Sequence, residues 1–139
     1  MEQILTFALN HWALSAALIL IPIIILAEEL RNKQGGTRLS PQDAVRLINT
    51  ENATIIDLRE KPLYDNGHIA RALHIAQPTV MDSLNKINKF KNKPIILVNT
   101  TDHQLSVIRQ KLHQEGFTRV FVLSGGINAW QTAGLPLIK

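Results

Sequence analysis

The 139-residue chain contains no cysteine. It therefore has no thiolate nucleophile, forms no disulfide bond and offers no thiolate ligand to a metal ion. The five histidines show no H-E-x-x-H spacing or comparable ligand pattern, so we predict neither a metal site nor a cofactor. The absence of cysteine is consistent with a reducing, cytoplasmic environment.

Charged residues are absent from Ile4 to Leu26, where the sequence reads "ILTFALNHWALSAALILIPIIIL". About 23 residues at about 1.5 Å per residue extend about 34 Å, against a hydrocarbon core of about 30 Å. A cleaved signal peptide would need a basic start and a small-residue cleavage site. We therefore predict a transmembrane anchor in residues 1–30, in contact with the lipid bilayer from Ile4 to Leu26 and kinked at Pro22.

Basic residues flank this span on one side only. Arg31, Lys33 and Arg38 follow it, whereas no lysine or arginine precedes it. The positive-inside rule thus predicts a cytoplasmic C-terminal domain. The polar stretch "RNKQGGTR", residues 31–38, has the composition of a short linker.

The net charge of +4 does not by itself indicate nucleic acid. Lys86, Lys89, Lys91 and Lys93 form one local cluster, but with Phe90 as the single aromatic residue among them they lack the repeated interleaving of many nucleic-acid surfaces. We predict no nucleic-acid partner. A solvated face attracted to anionic lipid fits this cluster better.

Residues 39–139 alternate between helical and strand patterns. The segment "SPQDAVRLINT" predicts a helix capped by Ser40, with Asp43 three residues later. Buried strands are predicted for "ATIIDLR" and "KPIILV", and further strands for "ALHIA" and "TRVFVL". Helices are predicted for "PTVMDSLNKINKF", "HQLSVIRQKLHQEG" and "SGGINAWQTAG", the last capped by Ser124. This alternation predicts the α/β class, a parallel sheet flanked by helices.

Four separated blocks resemble a known family. "IIDLRE" with "YDNGHIARALHI", the strand "PIILV", "EGFTRVFVLSGGINAW" and the closing "GLP" together resemble a rhodanese-like domain over residues 39–139. With the apolar span added, the chain resembles membrane-anchored, single-domain rhodanese-like proteins of bacterial inner membranes. The resemblance implies a single-pass inner-membrane protein.

In that family, a cysteine in the loop after the central strand forms a persulfide. Alignment on this chain places Asn99 at the cysteine position, and an amide neither ionises near neutral pH nor carries a transferable sulfur. Asp102 would repel an anionic intermediate. We therefore predict no catalytic residue in a degenerate loop that comprises Asn99, Thr100, Thr101, Asp102, His103 and Gln104.

A structural interpretation of this loop is a capping box, in which Thr101 pairs with Gln104 and Asp102 lies at the positive end of the helix. The resemblance also implies structural roles for Asp57, Arg59, Gly67 and His68, with Gly67 in a positive-φ turn. An acid–base site built from Asp57, Arg59, His68 and His103, with Thr100 as nucleophile, is the less favoured alternative.

The sequence thus favours a catalytically inactive, membrane-tethered module that acts as a scaffold and contacts a membrane-protein partner. Two alternatives stay open. One is a sulfurtransferase-family enzyme, or an accessory subunit that supplies its fold to a partner's cysteine. The other is a sensor whose loop binds an oxyanion without reacting.

Overall fold

A computed structural model describes residues 1–33 and 37–139, with side-chain surroundings described for 1–27 and 37–139. The chain forms two compact units, Met1–Gly36 and Thr37–Lys139. The unit boundary lies within the predicted linker, but the linker bounds differ from the prediction. The second helix extends to Lys33, Arg38 belongs to a strand, and positions 34–36 lie outside the described residues.

The first unit contains α1 (Glu2–Asn10) and α2 (Trp12–Lys33). The prediction of one continuous span was wrong, because the helices meet at His11 at an angle of 92°. His11 has φ −124° and ψ 43°, outside the helical region, and the adjacent Asn10 is also a weak helix former. The chain breaks there, while α2 continues through Pro22.

No single helix among the described residues has both the length and the apolarity needed to cross a bilayer. The bent pair Glu2–Asn10 and Trp12–Ala27 meets these two criteria only when its helices are taken together.

The second unit is built on a five-stranded parallel sheet. Its strands are β1 (Arg38–Leu39), β2 (Thr54–Asp57), β3 (Leu73–His74), β4 (Ile95–Val98) and β5 (Val120–Leu123), in the spatial order β1-β5-β4-β2-β3. The predicted parallel sheet flanked by helices is confirmed. β1 was not predicted, because two residues carry no readable periodicity and the strand exists only through its pairing with β5.

Helices cover both faces of the sheet. They are α3 (Pro41–Glu51), α4 (Lys61–Asn66), α5 (Leu84–Ile87), α6 (Leu105–Gln114) and α7 (Gly126–Thr132). The predicted helix over "PTVMDSLNKINKF" is instead α5 between short 3-10 turns, Gln77–Thr79, Met81–Ser83 and Asn88–Phe90. Asn and Ser side chains weaken this segment as a helix, and burial of Val80 and Ile87 fixes its path instead.

The N-terminus of α3 forms as predicted. The Ser40 hydroxyl oxygen accepts a hydrogen bond from the Asp43 backbone N–H (3.1 Å) and donates to the Asp43 carboxylate (2.9 Å). This cap satisfies one of the backbone donors that every helix leaves unpaired at its start.

The strands alternate their side chains between two apolar clusters. Ile56 and Leu97 face the cluster around Phe117 and Leu112, whereas Ile55 and Ile96 face the one around Trp130. All members of both clusters lie within Thr37–Lys139. The second unit therefore contains its own hydrophobic core.

An exposed ion pair joins the end of α3 to the start of β5. Arg119 donates hydrogen bonds to both carboxylate oxygens of Glu51. These bonds hold the pKa of the Glu51 carboxyl below its ordinary value of 4.5 and raise the pKa of the Arg119 guanidinium. The contribution of this ion pair to folding stability is therefore present above pH 4.5, and it is lost as the pH falls through the lowered pKa of Glu51.

We expect Glu51→Gln to remove the loss of folding stability that protonation of Glu51 causes at low pH. Thermal unfolding between neutral pH and pH 3 should show a smaller loss of Tm for Glu51→Gln than for the wild type, with only a slight difference in Tm near neutral pH because the pair is exposed. Identical pH profiles for the two proteins would contradict the prediction.

Candidate functional site

The site loop, residues 99–104, connects β4 to α6 at the carboxyl edge of the parallel sheet, where ligand sites of open α/β sheets lie. Both ends of the half-buried Asn99 amide form hydrogen bonds. Its Nδ2 donates to Gln77 Oε1 (2.8 Å), and its Oδ1 accepts from the Thr100 backbone N–H (2.7 Å). The amide thus fastens the start of the loop to the 3-10 turn at Gln77.

The start of α7 holds the other side of the same loop segment. The Ile127 backbone N–H donates to the Asn99 carbonyl (2.9 Å), and the Asn128 N–H to the Thr100 carbonyl (3.4 Å). Gly126 has φ 61°, and a Cβ there would lie 2.3 Å from the Asn99 carbonyl oxygen. Only glycine allows this approach. Sequence reasoning did not assign Gly126 to the site, although the pair Gly125-Gly126 before a helix was the available signal.

The site loop also binds the edge strand. Arg38 Nη1 in β1 donates to Asp102 Oδ2 at 2.6 Å, with the Asp102 side chain 13% exposed and that of Arg38 58% exposed. Sequence reasoning placed Arg38 in the linker and missed this contact. The side chains are 64 positions apart, and only the sheet order brings them together.

The predicted capping box was wrong. α6 begins at Leu105, and its N-cap is Gln104 in the left-handed region (φ 65°, ψ −3°) without a side-chain cap bond. A left-handed residue cannot continue a helix, so Thr101 lies outside it. The predicted Ser124 cap of α7 was also wrong, because Gly125 (φ 72°) is the N-cap and no side chain bonds there.

Asp57, the last residue of β2, forms a buried ion pair with Arg59. Arg59 Nη2 donates to Asp57 Oδ2 (2.8 Å) and Nε to Asp57 Oδ1 (3.0 Å). Arg59 Nη2 also donates to the carbonyl of Gly67 (2.6 Å), which ends α4 with φ 158°. The pair therefore holds the connection that follows it.

His68 lies in the same connection. Its Nδ1 donates to the Tyr64 carbonyl (2.9 Å), and its ring stacks on Tyr64 with centroids 3.9 Å apart. The side chains of Thr100 and His103 are exposed, and within the described part of the chain no hydrogen bond connects them to Asp57, Arg59 or His68. The alternative acid–base site therefore has no assembled geometry here.

Among residues 1–33 and 37–139, no group of three or more potential metal ligands lies close enough together to hold an ion. The site loop instead borders an open groove of about 800 Å³. Apolar side chains of α4, α6 and the 3-10 turns form much of its walls. The carboxamides of Gln77, Asn99 and Gln104 and the charged side chains of Arg59, Glu60 and Lys111 lie among them.

Residues 40–133 match the model of the family described as Rhodanese-like domain. The chain belongs to the rhodanese-like domain family. The resemblance drawn from the sequence is thus confirmed at the level of the domain.

Two relatives show how much of the chain is similar to known proteins. The protein named Uncharacterized protein YibN of Escherichia coli (strain K12) is 30% identical over 100% of this chain and 99% of its own. Thiosulfate sulfurtransferase GlpE of Actinobacillus pleuropneumoniae serotype 3 is 30% identical over 73% of this chain and 92% of its own length.

Solved structures share the fold. The BH2092 protein of Bacillus halodurans superposes with a TM-score of 0.69 at 21% identity, over 84% of this chain and 85% of its own. A rhodanese-related protein of Thermoplasma volcanium gives 0.64 at 22% identity, over 73% of this chain and 96% of its own. The matched domain thus makes up almost the whole of the Thermoplasma volcanium chain.

We expect Gly126→Ala to destabilise the domain strongly, because the new Cβ would collide with the Asn99 and Thr100 carbonyls. The loss should be about 3 kcal/mol or more in the free energy of unfolding, measured by urea denaturation. Gly134→Ala is the matched control: Gly134 also has positive φ (76°), but nothing lies within 4 Å of its Cβ position, and the cost should stay near 1 kcal/mol. Equal costs at the two positions would contradict the role given to Gly126.

Proposed function

We propose that this protein is a catalytically inactive rhodanese-like module that binds a partner protein at the cytoplasmic face of a bacterial inner membrane. The observation that carries the proposal is the state of Asn99. The sequence motifs align it with the family's cysteine, and its amide is bonded on one end to Gln77 and on the other to Thr100.

Sulfur transfer by this family needs a thiolate that attacks a sulfane sulfur and becomes a persulfide. The chain has no cysteine at any position, so this step has no nucleophile. The Asn99 carboxamide is neutral and has no ionisable proton near neutral pH. It can hold the loop in shape, and that is the role its two hydrogen bonds support.

Asp102 adds a second argument against anion chemistry. Its carboxylate lies in the site loop, where an anionic substrate would approach, although Arg38 partly offsets the charge. The groove beside the loop is lined by apolar side chains and carboxamides together with three charged residues, Arg59, Glu60 and Lys111, of which Arg59 is paired with Asp57. A surface of this mixed composition suits contact with a protein.

The N-terminal unit supports membrane attachment by composition, since its apolar run contains no charge from Ile4 to Leu26. Attachment would confine the module to two dimensions and raise its effective concentration near other membrane proteins, so a weak contact would suffice. A membrane protein is therefore the proposed partner.

A second function has one observation in its favour. GlpE, 30% identical over 92% of its own length, is a thiosulfate sulfurtransferase by name, and the groove beside Asn99 remains open. The module would then be an accessory subunit that supplies this groove to a cysteine of another chain.

Thiosulfate-to-cyanide sulfur transfer by the full chain in detergent tests the proposal. We expect the wild type to give the blank rate and to gain no sulfur atom by mass spectrometry after incubation with thiosulfate. Asn99→Cys should acquire one sulfur atom slowly, because the groove is open but Asp102 repels thiosulfate, whereas the control Thr101→Cys, at an exposed position of the same loop, should acquire none. Wild-type turnover that Asn99→Ala abolishes would reject the proposal.

Membrane attachment and orientation have their own test. We expect the full chain to remain in the membrane fraction after carbonate washing, and a reporter that is active only in the periplasm to be silent when fused after Lys139. An active periplasmic reporter would reverse the proposed orientation, and release by carbonate would remove the anchor.

A further inference from the structure

Four lysines without an ion pair lie close together along the chain, whereas the other cations of residues 37–139 that have none, Arg71, Arg109, Lys111 and Lys139, are scattered. Arg38, Arg46, Arg59, Lys61 and Arg119 each form an ion pair with a carboxylate. By contrast, within residues 37–139 no ion pair includes Lys86, Lys89, Lys91 or Lys93, which we call the lysine surface. Its positive charge is therefore not neutralised by the fold.

The lysine surface lies at the amino edge of the sheet. Lys93 and Pro94 lead into β4, and the Pro94 carbonyl accepts from the Thr54 N–H at the start of β2 (2.9 Å). Lys91 packs on the turn before β5, with its Nζ 5.6 Å from the centre of the Phe117 ring. Because all strands run parallel, this edge is opposite to the one that carries the site loop.

The lysines reach this edge on a short, exposed segment. Lys86 lies in the last turn of α5, and Lys89 lies in the 3-10 turn that follows it. The side chains of Lys86, Lys89 and Lys93 are exposed. Lys91 is half-buried, and its ammonium group lies beside Gly116 and over the Phe117 ring.

The nearby acidic residues do not balance this charge. Asp82 precedes the segment and Glu115 lies in the turn after α6, so two carboxylates flank four ammonium groups. Glu51 and Arg119, which also lie at this edge, neutralise each other in an ion pair.

The direction of β1 adds a topological argument. β1 runs parallel to β5, so the chain enters the sheet running from the amino edge toward the site-loop edge. The Thr37 carbonyl accepts from the Val122 N–H (2.7 Å), which fixes this entry. β1 pairs with Val122 and Leu123, the last residues of β5, so Thr37 lies beside the middle of β5, and only the direction of β1 is that of a chain arriving from the amino edge.

We propose that the lysine surface binds the headgroups of anionic lipids, so that the domain rests on the bilayer by its amino edge and presents the site loop and groove to the cytoplasm. The proposal rests on the membrane attachment proposed above and specifies how the module is oriented for its partner. Basic clusters close to a membrane gain affinity for anionic leaflets with each lysine, and salt screens the attraction.

Vesicle sedimentation tests the surface without the predicted anchor. The probe is the domain Thr37–Lys139, mixed with phosphatidylcholine vesicles that do or do not contain phosphatidylglycerol. We expect binding only to the anionic vesicles, at low salt, and a loss of roughly tenfold or more in affinity when Lys86, Lys89, Lys91 and Lys93 are all changed to glutamine. Circular dichroism melting should show that the variant folds.

A matched control carries the same change of net charge elsewhere. The variant with Arg46→Gln, Lys61→Gln, Lys111→Gln and Lys139→Gln should keep most of the vesicle affinity. Equal losses in the two variants would overturn the proposal, since net charge alone would then explain the binding. Duplex DNA that binds the domain while anionic vesicles do not would also overturn it and identify a nucleic-acid surface.

Orientation can be measured in the full chain because it contains no cysteine of its own. Asn92→Cys, between two lysines of the surface, and Thr101→Cys, in the site loop, each give one labelling position, and both side chains are exposed. In nanodiscs containing phosphatidylglycerol, nitroxide headgroup lipids should quench a fluorophore at position 92 more strongly than one at position 101. Equal quenching, or the reverse order, would overturn the proposed orientation.

The sedimentation and carbonate experiments test the lysine surface and the membrane attachment separately. Sedimentation uses no anchor, so failure there counts against the lysine surface alone, whereas carbonate release of the full chain counts against membrane attachment. Sulfur transfer by the wild type would count against neither, because it tests only the inactive site loop.

Discussion

The ion pair between Asp57 and Arg59 is the interaction on which the carboxyl edge of the domain depends. Both side chains are almost completely buried, at 1% and 6% exposure, so each needs the other to offset the loss of hydration. Removing one partner of such a pair typically costs about 3–5 kcal/mol, because the remaining charge stays buried. Arg59 extends the pair to Gly67, and its own carbonyl accepts from His74 Nε2 (2.8 Å). One pair thus connects β2, the end of α4 and β3.

The site loop depends on a second constraint, the close approach of α7. Gly126 allows the N–H groups at the start of that helix to bind the carbonyls of Asn99 and Thr100. These contacts involve only the backbone of residue 99 and do not depend on which side chain it carries. An amide side chain at this position is therefore compatible with these backbone contacts, and the fold is maintained around a loop that contains no cysteine.

The central strands were predictable from sequence because their signals are local. β2 and β4 are continuous apolar runs that the sheet buries on both faces, and Ser40 caps α3 within a span of four residues. The missed features all require distant partners. β1 exists only through β5, Arg38 meets Asp102 across the sheet, and the left-handed conformation of Gln104 displaces the start of α6. In the first unit, hydropathy over Ile4–Leu26 gave no sign of the bend at His11, because hydropathy does not report dihedral angles.

The short outer strands of the sheet determine how copies of the domain interact when they are crowded together. β1 and β3, the outer strands, contain two residues each, so they expose few backbone groups that another copy could pair with. Long, flat edge strands recruit foreign chains and seed aggregation, and proteins commonly prevent this by keeping edge strands short. Copies of this domain packed side by side would accordingly stay separate, each retaining its own sheet.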